Sequence, residues 1–372
     1  MIEFGPSADA VPSLPAFAAR LAEALRRGAE DLPFGVLATE LFRLQFAANP
    51  AYRRFCQAGG GSPESVRDAG WESIPAIPVV AFKELELTSL APAARTAVFH
   101  SSGTTGQVPS RHFHGPDSLA LYEASLVAGF ARAAVPRDSV PRRFVALTPP
   151  PDLVPHSSLA HMFAVCARRF GTPDSVFVGR PAAGGAWDLD LPWLLAVLGE
   201  SRESGTPVFL LGTAFHFVHL VDFCAERNLR FRIGDGSRVL ETGGYKGRSR
   251  VLSRIELHAA IAGCLGLPST AIVREYGMSE LSSQAYAVDG EGGRAGAFRF
   301  PPWARVRVIS PESGREMAEG GTGLLRVFDL ANVWSVMAVQ TEDLAVRRGE
   351  GFELVGRAPR AEPRGCSLLS AA

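Results

Sequence analysis

An α/β fold, with parallel and mixed α/β parts and a smaller β-rich C-terminal subdomain, is predicted by three observations. Strand-like apolar runs alternate with helical stretches between Phe144 and Met278, the pattern of a parallel sheet covered by helices. The first ninety or so residues carry apolar positions at helical spacing. After Gly290 the texture changes to short strands separated by Gly and Pro turns. With 372 residues, 47% of them apolar, the chain can bury a large core. The expected boundaries are a helical segment over 1–90, an α/β nucleotide- and acyl-binding region over 91–288, and a β-rich subdomain with a flexible tail over 289–372.

Taken in order, the helical spacing is clearest in Leu14–Leu25 and Val36–Phe46, and a Gly-Gly-Gly-Ser-Pro break follows at 59–63. Two short β-prone runs, Thr96–His100 and Arg111–His114, flank a loop. The parallel strands are expected at Phe144–Thr148, Pro207–Leu211, Arg238–Leu240 and Ala271–Glu275. A helix from about His216 to Glu226 follows the second of these. The late strands are expected at Arg305–Ile309, Gly323–Phe328, Val333–Met337 and Gly351–Val355, with a mobile loop at Gly290–Gly296. Ligands of parallel sheets gather at the carboxyl ends of the strands.

Formal net charge is zero, which argues against a nucleic-acid partner. The five cysteines are scattered, with no C-x-x-C, so neither a disulfide scaffold nor a zinc site is expected. No basic region followed by an apolar segment opens the chain, and a cytoplasmic, reducing location is the expectation. The most apolar segment, Thr206–Cys224, is interrupted by His216, His219 and Asp222, so no stable membrane association is expected. His216 and His219 fall three apart on one helix, a spacing open to a metal pair but more often that of core or boundary histidines.

The loop between the two β-prone runs reads His100-Ser-Ser-Gly-Thr-Thr-Gly106. Glycines allow successive N–H groups to turn inward, while Ser101, Ser102, Thr104 and Thr105 add hydroxyl donors around Gly103 and Gly106, making a cradle for phosphate oxygens. The same composition describes a solvent-exposed hairpin turn, and the loop alone leaves both readings open. No lysine sits in it, which disfavours the G-x-x-x-x-G-K-[ST] device.

Further along come Tyr276-Gly277-Met278-Ser279-Glu280, Thr341-Glu-Asp343, and Gly351-Phe-Glu-Leu-Val-Gly-Arg357. With the hydroxyl loop, and in this order, they resemble the adenylate-forming superfamily of acyl- and aryl-activating ligases. The implied fold is the N-terminal domain of such a ligase. Forming a mixed anhydride between a carboxylate and AMP requires triphosphate, Mg²⁺ and the anionic nucleophile to be held in line at the α-phosphorus. By this resemblance the loop would hold the β- and γ-phosphates and Tyr276 would stack on adenine. Ser279 would touch the α-phosphate, Glu280 would help hold Mg²⁺, Asp343 would accept both ribose hydroxyls, and Arg357 would support the ribose or phosphates. Each residue also has a plain structural reading: a core aromatic, a helix-start carboxylate, a turn, a surface charge. Four such coincidences in the superfamily's order are less economical than one nucleotide site.

A narrower match is carried by Phe82-Lys83, Pro155-His-Ser-Ser-Leu-Ala-His-Met162, Leu211-Gly-Thr-Ala-Phe215, Glu241-Thr-Gly243-Gly244-Tyr-Lys246 and Arg364-Gly-Cys-Ser-Leu368. These look like the acyl-protein synthetases of the LuxE type, over essentially the whole chain. Members of that family activate a fatty acid as acyl-AMP, load it onto their own C-terminal cysteine and pass it to a partner acyl reductase. The resemblance therefore implies ATP and Mg²⁺ as cofactors, a carboxylic acid of the fatty class as substrate, and Cys366 as the acyl-bearing thiol. Arg360 and Arg364 beside Cys366 would favour its thiolate. Only residues 358–372 follow Arg357, whereas typical ligases add a lid domain carrying a lysine. Lys246, one of two lysines in the chain, is the candidate for that charge, with a solvent-exposed loop lysine as the alternative. His156 is placed to orient the acid, or else belongs to a helix start capped by Ser157 or Ser158. Transfer to CoA, a carrier protein or an amine with Cys366 incidental, and a non-catalytic nucleotide-binding scaffold, are the alternatives.

Overall fold

Two helices at the front of the chain, α1 (Leu14–Arg26) and α2 (Phe34–Ala48), form where the apolar spacing is helical. Ser13 caps α1 by accepting from the Ala16 amide at 3.4 Å, and Asn49 caps α3 (Pro50–Ala58) through the Tyr52 amide at 3.1 Å. The short helix α4 (Pro63–Ala69) begins at the Ser-Pro break, with Ser62 and Ser65 closing a capping box. The computed structural model describes residues 13–28, 30–101, 108–135, 140–182, 187–243, 252–288 and 296–358. The residues of the Gly290–Gly296 loop before Gly296 lie outside them.

After β1 (Ile77–Pro78) and α5 (Ala81–Glu84), the β-prone runs pair as an antiparallel hairpin of β2 (Ala97–His100) and β3 (Arg111–His114). Then α6 (Pro116–Ala133), β4 (Arg143–Ala146) and α7 (Ser158–Phe170) lead through β5 (Val176–Phe177) and a small hairpin of β6 (Gly179–Pro181) and β7 (Trp187–Leu189) to α8 (Leu191–Ser204). The alternation continues with β8 (Val208–Thr213), α9 (Ala214–Glu226), β9 (Arg238–Thr242), α10 (Arg254–Leu265), β10 (Ile272–Tyr276) and β11 (Ala285–Val288). The six-stranded sheet has the order β11-β10-β9-β8-β4-β5 and is parallel except for β11.

Successive residues of its strands serve opposite faces, as a period of two requires. Leu210, Val239 and Ile272 pack with α8, α9 and α10, while Leu211, Leu240 and Val273 pack with α6 and α7. The expected helix near His216 starts two residues earlier, because Thr213 forms a capping box with His216. His216 therefore serves a helix end, its Nδ1 3.0 Å from Thr213 Oγ1.

The second sheet is formed by β12 (Ala304–Ile309), β13 (Thr322–Asp329), β14 (Ala338–Arg348) and β15 (Gly351–Arg357), antiparallel throughout. β1 joins its far side parallel to β14, so the sheet includes a strand from the first ninety residues. Its apolar face shares one core with α1, α2 and α3. The strand expected at Val333–Met337 is not formed, and the strand begins at Ala338 instead. Side chains and a distant loop take the backbone groups of this buried stretch: Gln45 Nε2 donates to Val333 O at 3.0 Å, and Ser89 N to Trp334 O at 2.8 Å. Thr341–Asp343, open to a turn reading, lies inside β14.

Candidate active site

The hydroxyl loop springs from a hairpin whose base is closed by two serines. Ser110 N donates to Ser101 Oγ at 3.0 Å, and Ser101 N to Ser110 O at 3.3 Å. Ser102, Gly103, Thr104, Thr105 and Gly106 lie outside the described residues. The hairpin base is fastened to the turn after β10 by two contacts. Ser110 Oγ donates to Glu280 Oε1, and His112 Nδ1 lies 2.8 Å from Ser279 O, so the imidazole donates to that carbonyl. Burial pushes His112 down to about 4, which keeps the ring neutral, and the Ser279 carbonyl places its one proton on Nδ1. Neither Ser110 nor His112 was singled out by motif. A serine four residues after the Ser/Thr/Gly run, followed by alternating histidines in a β-prone strand, was the available signal.

Glu280 is buried, and its second oxygen accepts from Ser279 Oγ at 3.2 Å. Burial raises its pKa, opposed by the Ser110 hydrogen bond. A cation beside it would reverse that shift and hold it ionised. Among the described residues no group of three or more His, Cys, Asp or Glu could hold a metal. The single buried carboxylate of Glu280 fits Mg²⁺, which takes one or two carboxylates with waters and phosphate oxygens.

The residues expected on the adenosine side also converge. Tyr276, at the end of β10, donates its hydroxyl to Asp343 Oδ2 at 2.7 Å, and Arg357 Nε stands 3.4 Å from Asp343 Oδ1. Asp343 and Arg357 are directly opposite across β14 and β15, which explains how two residues far apart in sequence return to one point. The Tyr276 ring, 7% exposed, sits among Phe298, Phe300 and Phe352, with centroids 6.0, 6.3 and 5.1 Å away. The Arg357 side chain is 81% exposed, whereas that of Asp343 is 16% exposed. A Cβ at Gly277 would meet Glu275 Oε1 at 2.4 Å, so any larger residue there would have to displace that side chain. Met278 packs its side chain against the core shared with the second sheet.

A buried polar network missed by motif reading holds this turn down. Asp329, at the end of β13, accepts from Ser282 N at 2.8 Å, Ser283 Oγ at 2.7 Å and Ala331 N at 3.0 Å. Asn332 Nδ2 donates to the backbone carbonyl of Glu280 at 2.9 Å. Gln45 of α2 donates to Asn332 O at 2.7 Å and accepts from Met337 N at 3.1 Å. Single polar residues dispersed over 290 positions leave no spacing to recognise.

His156 lies over the hairpin: its Nδ1 is 3.1 Å from Val98 O, its backbone carbonyl accepts from His100 N at 2.9 Å, and the His100 and His156 rings stack at 4.5 Å. The cap of α7 is Ser157, which accepts from Ala160 N at 3.1 Å. Gly243, just past β9, has φ +67°, which only glycine adopts freely. Gly244, Lys246 and Cys366 lie outside the described residues. Cys56, Cys166, Cys224 and Cys264 are buried free thiols. Among the described residues no helix is long and apolar enough to cross a membrane.

The fold is that of the adenylate-forming ligases. A crystal structure of 2-hydroxyisobutyryl-CoA ligase with 2-HIB-AMP and CoA in the thioesterification state matches at TM-score 0.64 and 15% identity, covering 95% of this chain and 72% of that one. ATP-bound MatB from Rhodopseudomonas palustris matches at TM-score 0.51 and 17% identity, covering 95% of this chain and 77% of its own. Within this class a family match described as acyl-protein synthetase, LuxE, spans residues 34–371, and the chain belongs to that family and is a ligase. Relatives include a long-chain-fatty-acid–luciferin-component ligase of Vibrio harveyi, 22% identical over 88% of this chain and 84% of the relative. One of the same name from Aliivibrio fischeri is 24% identical over 46% of this chain and 47% of the relative.

Proposed function

We propose that this ligase activates a carboxylic acid with ATP as acyl-AMP and captures the acyl group on Cys366 as a thioester for delivery to a partner, an acyl reductase or a carrier protein. The observation that carries the reading is convergence: the hydroxyl-loop hairpin is fastened through Ser110 and His112 to Ser279–Glu280, three residues from the Tyr276–Asp343–Arg357 cluster. In the first step a carboxylate oxygen attacks the α-phosphorus, and the bond to the bridging oxygen breaks to release pyrophosphate. In the second the Cys366 thiolate attacks the acyl carbonyl and AMP leaves with the C–O bonding pair.

The Ser/Thr/Gly loop would hold the β- and γ-phosphates, Ser279 the α-phosphate, and Asp343 with Arg357 the ribose, Tyr276 lining the adenine. Glu280 would hold Mg²⁺, which screens phosphate charge when bound. Lys246 would supply positive charge near the reacting carboxylate, Gly243 and Gly244 the close backbone approach, and His156 the orientation of the acid. A cytoplasmic location suits a chain that depends on a reduced thiol.

The test is acid-dependent pyrophosphate exchange beside covalent labelling by radioactive acid. Cys366→Ala should keep exchange and lose the label. A label that survives in Cys366→Ala removes the acyl-cysteine, and absence of exchange with any acid removes adenylation. Lys246→Ala that leaves exchange intact removes its assigned role.

A further inference from the structure

The stretch that follows the hydroxyl loop presents alternate residues to the turn after β10. Ser110 and His112 stand two apart, 1% and 3% exposed, and both reach that turn: Ser110 Oγ donates to Glu280 Oε1, and His112 Nδ1 donates to Ser279 O at 2.8 Å. The second Glu280 oxygen accepts from Ser279 Oγ at 3.2 Å, and the Glu280 backbone carbonyl accepts from Asn332 Nδ2 at 2.9 Å. Ser110 is itself pinned through its main chain. Its N–H donates to Ser101 Oγ at 3.0 Å, and its carbonyl accepts from Ser101 N at 3.3 Å. A continuous run of contacts thus leads from Ser101, the first serine of the hydroxyl loop, through Ser110 to the carboxyl group of Glu280.

These contacts leave room for a cation. A carboxylate oxygen offers two lone-pair sites, so each Glu280 oxygen keeps one site after accepting a hydroxyl. Turning the carboxyl group away would break the bonds from Ser110 and Ser279. Carboxylates that ligate metals are themselves oriented by hydrogen-bonding neighbours, and loss of such a neighbour costs about 10–100-fold in metal affinity. Ser110 has the position of that neighbour, and its burial means that water does not stand in for its hydroxyl once removed. It also belongs to the hairpin that carries the phosphate-binding candidate, so one side chain serves both the loop base and the metal carboxylate.

Resting on the adenylation reading, we infer that Ser110 is a positioning residue: it sets Glu280 for Mg²⁺ and ties that carboxyl group to the hydroxyl loop, so that cation and triphosphate bind cooperatively through the protein. Phosphates held by the loop would fix Ser101, Ser101 fixes the Ser110 main chain, and Ser110 fixes Glu280. The coupling is reciprocal, because a cation that orders Glu280 favours the ordered loop base by the same factor.

The experiment is calorimetric titration of the full chain with AMP and with the non-hydrolysable α,β-methylene ATP, each with and without Mg²⁺. Direct attraction between cation and phosphates is the same for every variant, so a change in the Mg²⁺ effect reports on Ser110. In the unaltered protein Mg²⁺ should tighten binding of the ATP analogue and leave that of AMP unchanged. In Ser110→Ala the tightening should shrink by at least about tenfold, while AMP keeps its affinity. Ser110→Cys, with a weaker donor of similar size, should fall between the two and serves where the alanine variant does not fold. Equal weakening of AMP and the analogue, with the Mg²⁺ effect retained, makes Ser110 a structural tie and overturns the inference. A Mg²⁺ effect unchanged in both variants, or absent from the unaltered protein, also overturns it while nucleotide binding stands. If neither AMP nor the analogue binds the unaltered protein, the adenylation reading fails and this inference with it.

Discussion

Glu275 and His112 are both enclosed beside the candidate active site, and burial drives their ionisation in opposite directions. Glu275 is pushed up to about 7 from the ordinary 4.5, so the folded protein binds its proton more tightly than the unfolded chain does. That group's contribution is fully present below pH 4.5 and is lost as pH rises to 7. His112, near 4 against an ordinary 6.5, binds its proton more weakly when folded, and its contribution is lost as pH falls from 6.5 to 4. Each effect is about 3 kcal/mol at most. Urea denaturation across pH 4–8 should therefore show Glu275→Gln gaining on the unaltered protein as pH rises through 4.5–7. His112→Asn should gain as pH falls through 6.5–4. Stability curves that stay parallel to the parent's would contradict both assignments. Tyr276, Glu280, Asp343 and Arg357 could be picked out in advance by their order along the chain, and the fold brings Tyr276, Asp343 and Arg357 together. Glu275 and His112 could not be picked out so, since their significance comes from enclosure, which no local pattern reports.

At the level of elements, the two turns that end β9 and β10 are locked by one carboxyl group. Thr242 holds Glu275 from one side, and Gly277 leaves it room on the other. Gly277→Ala should cost roughly 1–3 kcal/mol by overpacking against Glu275. The cost should shrink by at least half when measured in a Glu275→Ala background, a coupling read by a double-mutant cycle of denaturation midpoints. An undiminished cost would place the glycine's importance elsewhere. Most strands and the two long N-terminal helices were readable from periodicity, and the hairpin flanking the hydroxyl loop was found to the residue at β3. The misreading at Val333–Met337 has a specific origin. Its composition is strand-like, but Gln45, Ser89 and neighbours claim its backbone groups, and those partners are distant in sequence. Burial made the stretch apolar without making it extended and paired.

For the molecule as a whole, α2 and the second sheet form one core, and Gln45 is the polar joint between them. Gln45→Ala would strand Asn332 O, Val333 O and Met337 N without this partner, at a cost of about 3 kcal/mol. Because Asn332 in turn holds the Glu280 carbonyl, the same variant should lower pyrophosphate exchange. Tryptophan fluorescence and far-ultraviolet circular dichroism should still report one coincident transition in urea. Separate transitions would mean that the helices fold as an independent unit. Sequence texture suggests a helical segment and a β-rich part, whereas their joining through β1 and Gln45 leaves no mark in it. The partners of Gln45 stand 287–292 positions further along. On the ribosome, α1 and α2 consequently emerge well before β14, so the apolar faces they share with it in the folded protein stay uncovered for most of translation.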